Sequence, residues 1–319
     1  MTTKQNQPAI AVTGLRKSFG DHVVLDGIDL NVAQGTVFSL LGANGAGKTT
    51  TVKILSTLIS ADAGDIRVAD HDLAGEPDAV RAAIGVTGQF SAVDNLLTGR
   101  ENLLLMADLH HLARGEGRQR AGQLLERFDL VDAAGKPVST YSGGMRRRLD
   151  LAMTLVGSLR VIFLDEPTAG LDPCGRRDMW QIVRDLVAGG VTIFLTTQYL
   201  EEADALADRI AVLDHGRLVA EGTADELKRR IPGGHVRLRF AEPSGLDAAA
   251  RVLGQVSRDN DALALRVPSD GSLRSLKTLI DRLDDLAIEV DELSVHTPDL
   301  DDVFLAITGH STNEKVTTR

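Results

Sequence analysis

Residues Gly42-Ala43-Asn44-Gly45-Ala46-Gly47-Lys48-Thr49 constrain this chain more than any other segment. They fit the pattern G-x-x-x-x-G-K-[ST], a loop whose backbone N–H groups turn inward around phosphate oxygens. Such a loop works only between a buried strand and the start of a helix, because the helix dipole must face the same anion. The apolar run Val37–Leu41 supplies the strand, and Lys48–Leu58 has the pattern of the helix. A chance Gly-rich turn is the competing reading, and these flanks argue against it. Gly42, Asn44, Gly45, Gly47, Lys48, Thr49 and Thr50 are therefore the phosphate-binding candidates. Lys48 adds a point charge, and the Thr49 hydroxyl is a ligand for Mg²⁺.

A P-loop demands an α/β fold, and the rest of the chain agrees. Short apolar runs at Ile10–Val12, Ile66–Val68, Ile84–Val86, Val161–Leu164, Val191–Thr196 and Ile210–Leu213 read as further strands. Several lack polar alternation, as strands buried on both faces do. Helical patterns at Glu101–His111, Gly117–Phe128, Gly143–Leu155, Arg176–Leu186 and Glu201–Ala207 alternate with them. This predicts an α/β domain with a central parallel sheet over residues 1–230. A Pro/Gly break at Ile231–Gly234 then opens a smaller α/β domain over 235–309, read as βαβαβα. Residues 310–319 are polar and read as a disordered tail. A length of 319 residues fits two domains at ~150 residues each.

Composition excludes several classes of function. The net charge of −10 argues against a non-specific nucleic-acid binder, which needs clustered Lys and Arg. One cysteine, Cys174, leaves no intrachain disulfide and no Cys-zinc cluster; it reads as a plain loop residue. His110 and His111 are adjacent and point to different helix faces, so they form no metal pair. Arg146-Arg147-Arg148 reads as a solvated helix face. No run of about 18 apolar residues exists, so any work at a membrane goes through a partner.

Two more segments carry chemistry. Val161-Ile162-Phe163-Leu164-Asp165-Glu166 is an apolar strand ending in two carboxylates. Beside a P-loop, Asp165 is placed to hold Mg²⁺ through water, and Glu166 to orient or deprotonate the attacking water. Tyr141-Ser142-Gly143-Gly144-Met145-Arg146 opens a helix with Ser142 as N-cap. A hydroxyl beside bare N–H groups at a helix start is a second anion site.

With these motifs in this order, the chain resembles the ATP-binding subunit of an ATP-binding-cassette (ABC) transporter. The resemblance covers Ile10 to about Gly222 and implies that residues 1–230 are an ATPase domain with a helical insert at about 93–155. It implies that Phe19 stacks on adenine and that Gln89 is the glutamine that contacts Mg²⁺ and water. It also makes Asp172, in Ala169-Gly170-Leu171-Asp172, part of a loop crossing between two subunits. The chain departs from the family pattern at Tyr141 and Met145, usually Leu and Gln, and at Gln198, where a histidine is usual. Gln198 is read as a γ-phosphate sensor, the alternative being an inert replacement. Those departures, with Leu300-Asp301-Asp302-Val303-Phe304-Leu305, are similar to the daunorubicin-resistance branch, which serves drug and lipid exporters.

The resemblance implies ATP and Mg²⁺ as cofactors and a second copy of the chain as partner. ATP would lie between Phe19, Gly45, Lys48, Thr49, Gln89, Asp165 and Glu166 of one copy and Ser142 and Gly144 of the other. It further implies separate membrane permeases and a place on the cytoplasmic face of the cell membrane. An importer subunit, or a soluble ABC ATPase acting on ribosomes or DNA, are the other readings.

Overall fold

Burial on two faces at once organises the first part of the molecule. The computed structural model describes residues 7–88, 92–230, 234–254, 256–269, 272–296 and 298–309. It divides into two compact units, Met1–Ala224 and Asp225–Arg319. The first unit opens with β1 (Ile10–Phe19), β2 (His22–Val32), β3 (Val37–Leu41), α1 (Lys48–Leu55), β4 (Ala63–Val68), β5 (His71–Asp72), α2 (Pro77–Ala83) and β6 (Ile84–Thr87). Then come α3 (Gly99–Leu109), α4 (Arg114–Arg127), α5 (Gly143–Thr154), β7 (Val161–Asp165), α6 (Pro173–Ala188), β8 (Thr192–Thr197), α7 (Leu200–Leu206), β9 (Arg209–Asp214) and β10 (Arg217–Gly222).

Six strands form the central sheet in the order β10-β9-β3-β8-β7-β6. The five from β9 to β6 are parallel, and β10 pairs antiparallel with β9. Every position of β3, β7 and β8 is buried. Their alternate side chains feed two cores. Phe38, Leu40, Phe163 and Phe194 face α1 and a second sheet. Val37, Ile162, Leu164, Ile193 and Leu195 face the helices α3, α4, α5 and α6. Phe38 and Phe194 stack with ring centroids 5.6 Å apart, locking β3 to β8.

The second sheet is antiparallel, in the order β2-β1-β4-β5. The sequence pattern predicts only Ile10–Val12 and Ile66–Val68 here and misses β2. In β2 the alternation of Leu25, Ile28, Leu30 and Val32 is interrupted by Asp26 and Gly27. The β1–β2 ladder shifts register at the same stretch, so no clean period of two survives in the sequence.

Helix α8 (Ala224–Arg229) leads into β11 (His235–Arg239), α9 (Pro243–Leu253), β12 (Ser257–Asp259), β13 (Ala264–Pro268), α10 (Leu273–Asp284), β14 (Glu292–His296) and α11 (Leu300–Thr308). The second unit's sheet runs β12-β13-β11-β14, antiparallel throughout. The expected βαβαβα succession thus gains a strand and becomes a split β-α-β-β-α-β arrangement followed by α11. Strand β12 reads Ser-Arg-Asp and buries nothing apolar, so it leaves no hydrophobic signal. Val236, Leu238 and Leu265 pack with Leu246, Ala249, Leu279 and Leu283 on one face. Among the described residues, no helix is long and apolar enough to cross a membrane.

Candidate functional site

The P-loop leaves the C-terminal end of β3, in the interior of the six-stranded sheet. Two glycines are required by geometry. A Cβ at Gly42 would stand 2.4 Å from the Leu213 carbonyl oxygen on β9. Gly47 sits at φ +112°, and a Cβ there would meet Leu25 at 2.7 Å. Gly47 caps α1 without any side chain, and the first turn of α1 carries no acidic residue. The helix thus presents N–H donors and the positive end of its dipole.

Lys48 is 5% exposed. Its Nζ donates to the carbonyls of Gly42 at 2.8 Å and Ala43 at 3.1 Å, and lies 3.6 Å from Glu166 Oε1. Burial pushes its pKa down, and the charges of Glu166 and Asp165 oppose that shift. Asn44, Gly45, Gly47, Lys48, Thr49, Thr50 and Glu166 line one cavity of about 190 Å³, together with Val24. Val24 escaped the sequence reading, because a valine in an unrecognised strand signals nothing but packing.

Asp165 ends β7 and is 4% exposed. It accepts hydrogen bonds from Thr196 Oγ1 and, at 3.3 Å, from Thr49 Oγ1. The hydroxyl and carboxylate that the sequence assigns to a metal therefore meet, although they lie far apart in the chain. Both are hard oxygen donors, and Mg²⁺ takes one or two of these while keeping waters and phosphate oxygens. The pair fits that ion. Glu166 has φ 51°, a left-handed conformation that costs a non-glycine residue ~1–3 kcal/mol. Its N–H is held by the Thr196 carbonyl at 3.1 Å and lies 3.3 Å from Thr196 Oγ1. The strained turn aims the Glu166 carboxylate into the P-loop cavity.

A second cavity, of about 450 Å³, is lined by Ser142, Gly143 and Gly144 with Gly170, Leu171 and Asp172. Ser142 caps α5, accepting from Met145 N at 3.2 Å. Asp172 caps α6, accepting from Gly175 N at 3.0 Å. No residue is shared between the lining of this cavity and that of the P-loop cavity. Tyr141 is buried, and its hydroxyl donates to the Ala133 carbonyl at 2.7 Å. That bond explains how a tyrosine is accommodated where the family usually has leucine, and burial raises its pKa.

The remaining candidates are placed less centrally. Phe19 ends β1 on the surface, 53% exposed, with Lys17 Nζ 5.3 Å from its ring centroid; it does not line the P-loop cavity. Gln198 is half-buried, one residue beyond β8, between the strand ends of β3 and β7. Gln89 lies outside the described residues.

Two expectations are corrected. Cys174, exposed, lies in the first turn of α6 rather than in a loop. Arg146–Arg148 do not form a solvated helix face. All three are half-buried and donate to protein carbonyls. The reason is position: Met145 and Leu149–Met153 of α5 pack into the core, so the arginines between them run along protein.

Comparison with known proteins follows the same lines. Residues 25–169 match the family model described as ABC transporter. The chain is 52% identical to "Daunorubicin resistance ATP-binding protein DrrA3" of Streptomyces coeruleorubidus, covering 94% of this chain and 96% of that protein. It is 46% identical to "Daunorubicin/doxorubicin resistance ATP-binding protein DrrA" of Streptomyces peucetius, covering 97% and 95%. A solved "ATP binding subunit of ABC transporter" superposes with TM-score 0.63 at 28% identity, covering 70% of this chain and 92% of that one.

Proposed function

The chain belongs to the ABC transporter family, and we propose that it powers export of a drug or lipid through separately encoded membrane subunits. It is an ATP-binding subunit and an ATPase. ATP-binding subunits of this family dimerise and work with membrane permeases. In our reading the dimer is formed by two copies of this chain on the cytoplasmic face of the membrane. The drug-resistance names of relatives matched along nearly their whole length support a drug as cargo.

One observation carries the dimer reading. The P-loop with Glu166 and the Ser142–Gly144 segment with Asp172 line two separate cavities of one chain. Each is half a phosphate site, so a complete site needs the P-loop of one copy and Ser142 and Gly144 of the other. Lys48 and the N–H groups of α1 then bind the β- and γ-phosphates, and Phe19 offers its exposed ring to adenine. Thr49 and Asp165, with Gln89, would hold Mg²⁺, which neutralises charge on the phosphates. Glu166 orients the attacking water and takes its proton. Gln198 donates an amide hydrogen bond to the γ-phosphate. Hydrolysis removes the group that holds the two copies together.

The test is Glu166→Gln. ATP binding should persist while turnover falls by ~10²–10⁴, the range for loss of a general base. Trapped ATP should then produce a dimer on size exclusion. A variant that stays monomeric with saturating ATP refutes the two-copy site. Daunorubicin efflux from cells expressing the chain with its membrane subunits, and its loss with Lys48→Ala, tests the cargo class.

A further inference from the structure

Arg147 lies on the first turns of the helix that Ser142 caps, and its side chain is 11% exposed. A guanidinium carries five N–H donors in a rigid planar fork. Here Nε donates to the Pro167 carbonyl at 2.9 Å, and Nη2 to the Asp165 carbonyl at 3.4 Å. These two carbonyls bracket Glu166. Nη1 donates to the Gly88 carbonyl at 2.8 Å and to Asp150 Oδ2 at 3.4 Å. Asp150 in turn accepts from Ala92 N at 3.1 Å. Gly88 and Ala92 stand on either side of the segment that contains Gln89. One buried ion pair on α5 therefore grips the backbone around Glu166 and both ends of the Gln89 segment. Burial pushes the Arg147 pKa down, opposed by the charges of Asp150, Asp165 and Glu202, and an arginine stays charged regardless. Burying that charge is costly unless its partners are fixed in place.

We infer that Arg147 is a positioning residue that couples the Ser142–Gly144 segment to the hydrolytic carboxylates of the same chain. The inference rests on the two-copy ATPase reading. In that reading Ser142 and Gly144 touch the nucleotide of one site while Asp165 and Glu166 serve the other. Arg147 is then a rigid link between the two nucleotides within a single subunit. Movement of α5 when its N-terminus meets a γ-phosphate shifts the carbonyls of Asp165, Gly88 and Pro167 together. Arg147 touches no substrate, and none of its partners is a P-loop atom, so nucleotide affinity is left alone.

The test is steady-state ATPase and nucleotide affinity for the wild type, Lys48→Ala, Arg147→Met, Arg147→Lys, Ser142→Ala and the double variant Ser142→Ala/Arg147→Met. Arg147→Met should lower kcat by roughly 10- to 100-fold, as loss of several charge-assisted hydrogen bonds to the hydrolytic segment would. The affinity for a fluorescent ATP analogue should stay within about twofold. Arg147→Lys should restore little, because one ammonium cannot span the three carbonyls. Ser142→Ala should cost much less in the Arg147→Met background than alone, since the link it acts through is already cut. Additive losses in the double variant, or full activity of Arg147→Lys, overturn the coupling. Should Arg147→Met fail to fold, the cycle is run with Arg147→Lys. No ATP turnover in the wild type, or turnover equal to that of Lys48→Ala, removes the ATPase reading itself. A working wild type with an unaffected Arg147→Met removes only this inference.

Discussion

The six-stranded sheet of the first unit and the four-stranded sheet of the second solve different problems. In the six-stranded sheet, β3, β7 and β8 are buried along their whole length and are covered on both faces. Strand β14 of the small unit is exposed at all five positions, and β11 alternates buried with exposed. The consequence is chemical. Among the described residues, every buried polar or charged side chain lies in the first unit, Lys48, Asp150, Asp165 and Glu202 among them. A doubly covered parallel sheet creates a dry edge at its strand ends, where a lysine or carboxylate is desolvated and its charge acts at full strength. A sheet covered on one side leaves Arg237 and Arg266 facing each other across strands in water. Among the described residues, the desolvated polar groups thus lie in one unit.

The strongest way to break that contrast is Lys48→Ala. It removes the buried cation of the phosphate loop, proposed to meet the β- and γ-phosphates, and one charge-assisted hydrogen bond contributes ~1.5–3 kcal/mol. ATP binding or hydrolysis should be abolished in purified protein, and unchanged ATPase activity would end the P-loop assignment. Gln198→Ala probes the same sheet edge more gently. Losing one hydrogen bond to a γ-phosphate should slow turnover by roughly 10-fold or more, while Gln198→His should retain activity. Turnover equal to wild type makes Gln198 a bystander. The smallest effect belongs to the second unit. A chain ending at Arg230 should bind a fluorescent ATP analogue as the full chain does, yet fail to support transport. A large loss of affinity would show that the small unit completes the site.

Much of this was legible in the residues. Gly42, Gly47, Lys48 and Thr49 fall within one eight-residue pattern, so the phosphate loop is legible from spacing alone, although the contacts with Leu213 and Leu25 that require the two glycines are not. The same holds for Ser142 capping α5 and for the apolar runs of β3, β7 and β8, whose burial is written in composition. What stayed hidden depends on distance along the chain. Strand β2 is visible only through its ladder with β1, and β12 only through its pairing with β13. Val24 reaches the phosphate cavity because β2 passes the P-loop, which no spacing rule announces. Arg147 looked like one of three solvated arginines. Only packing of α5 turned it inward, toward a carbonyl 59 residues away at Gly88. Sequence alone determined which chemistry this chain carries, because catalytic motifs are short and their geometry is set by neighbours. The tertiary structure decided which groups share a cavity and which charge lost its water, because burial is a property of the whole packed chain.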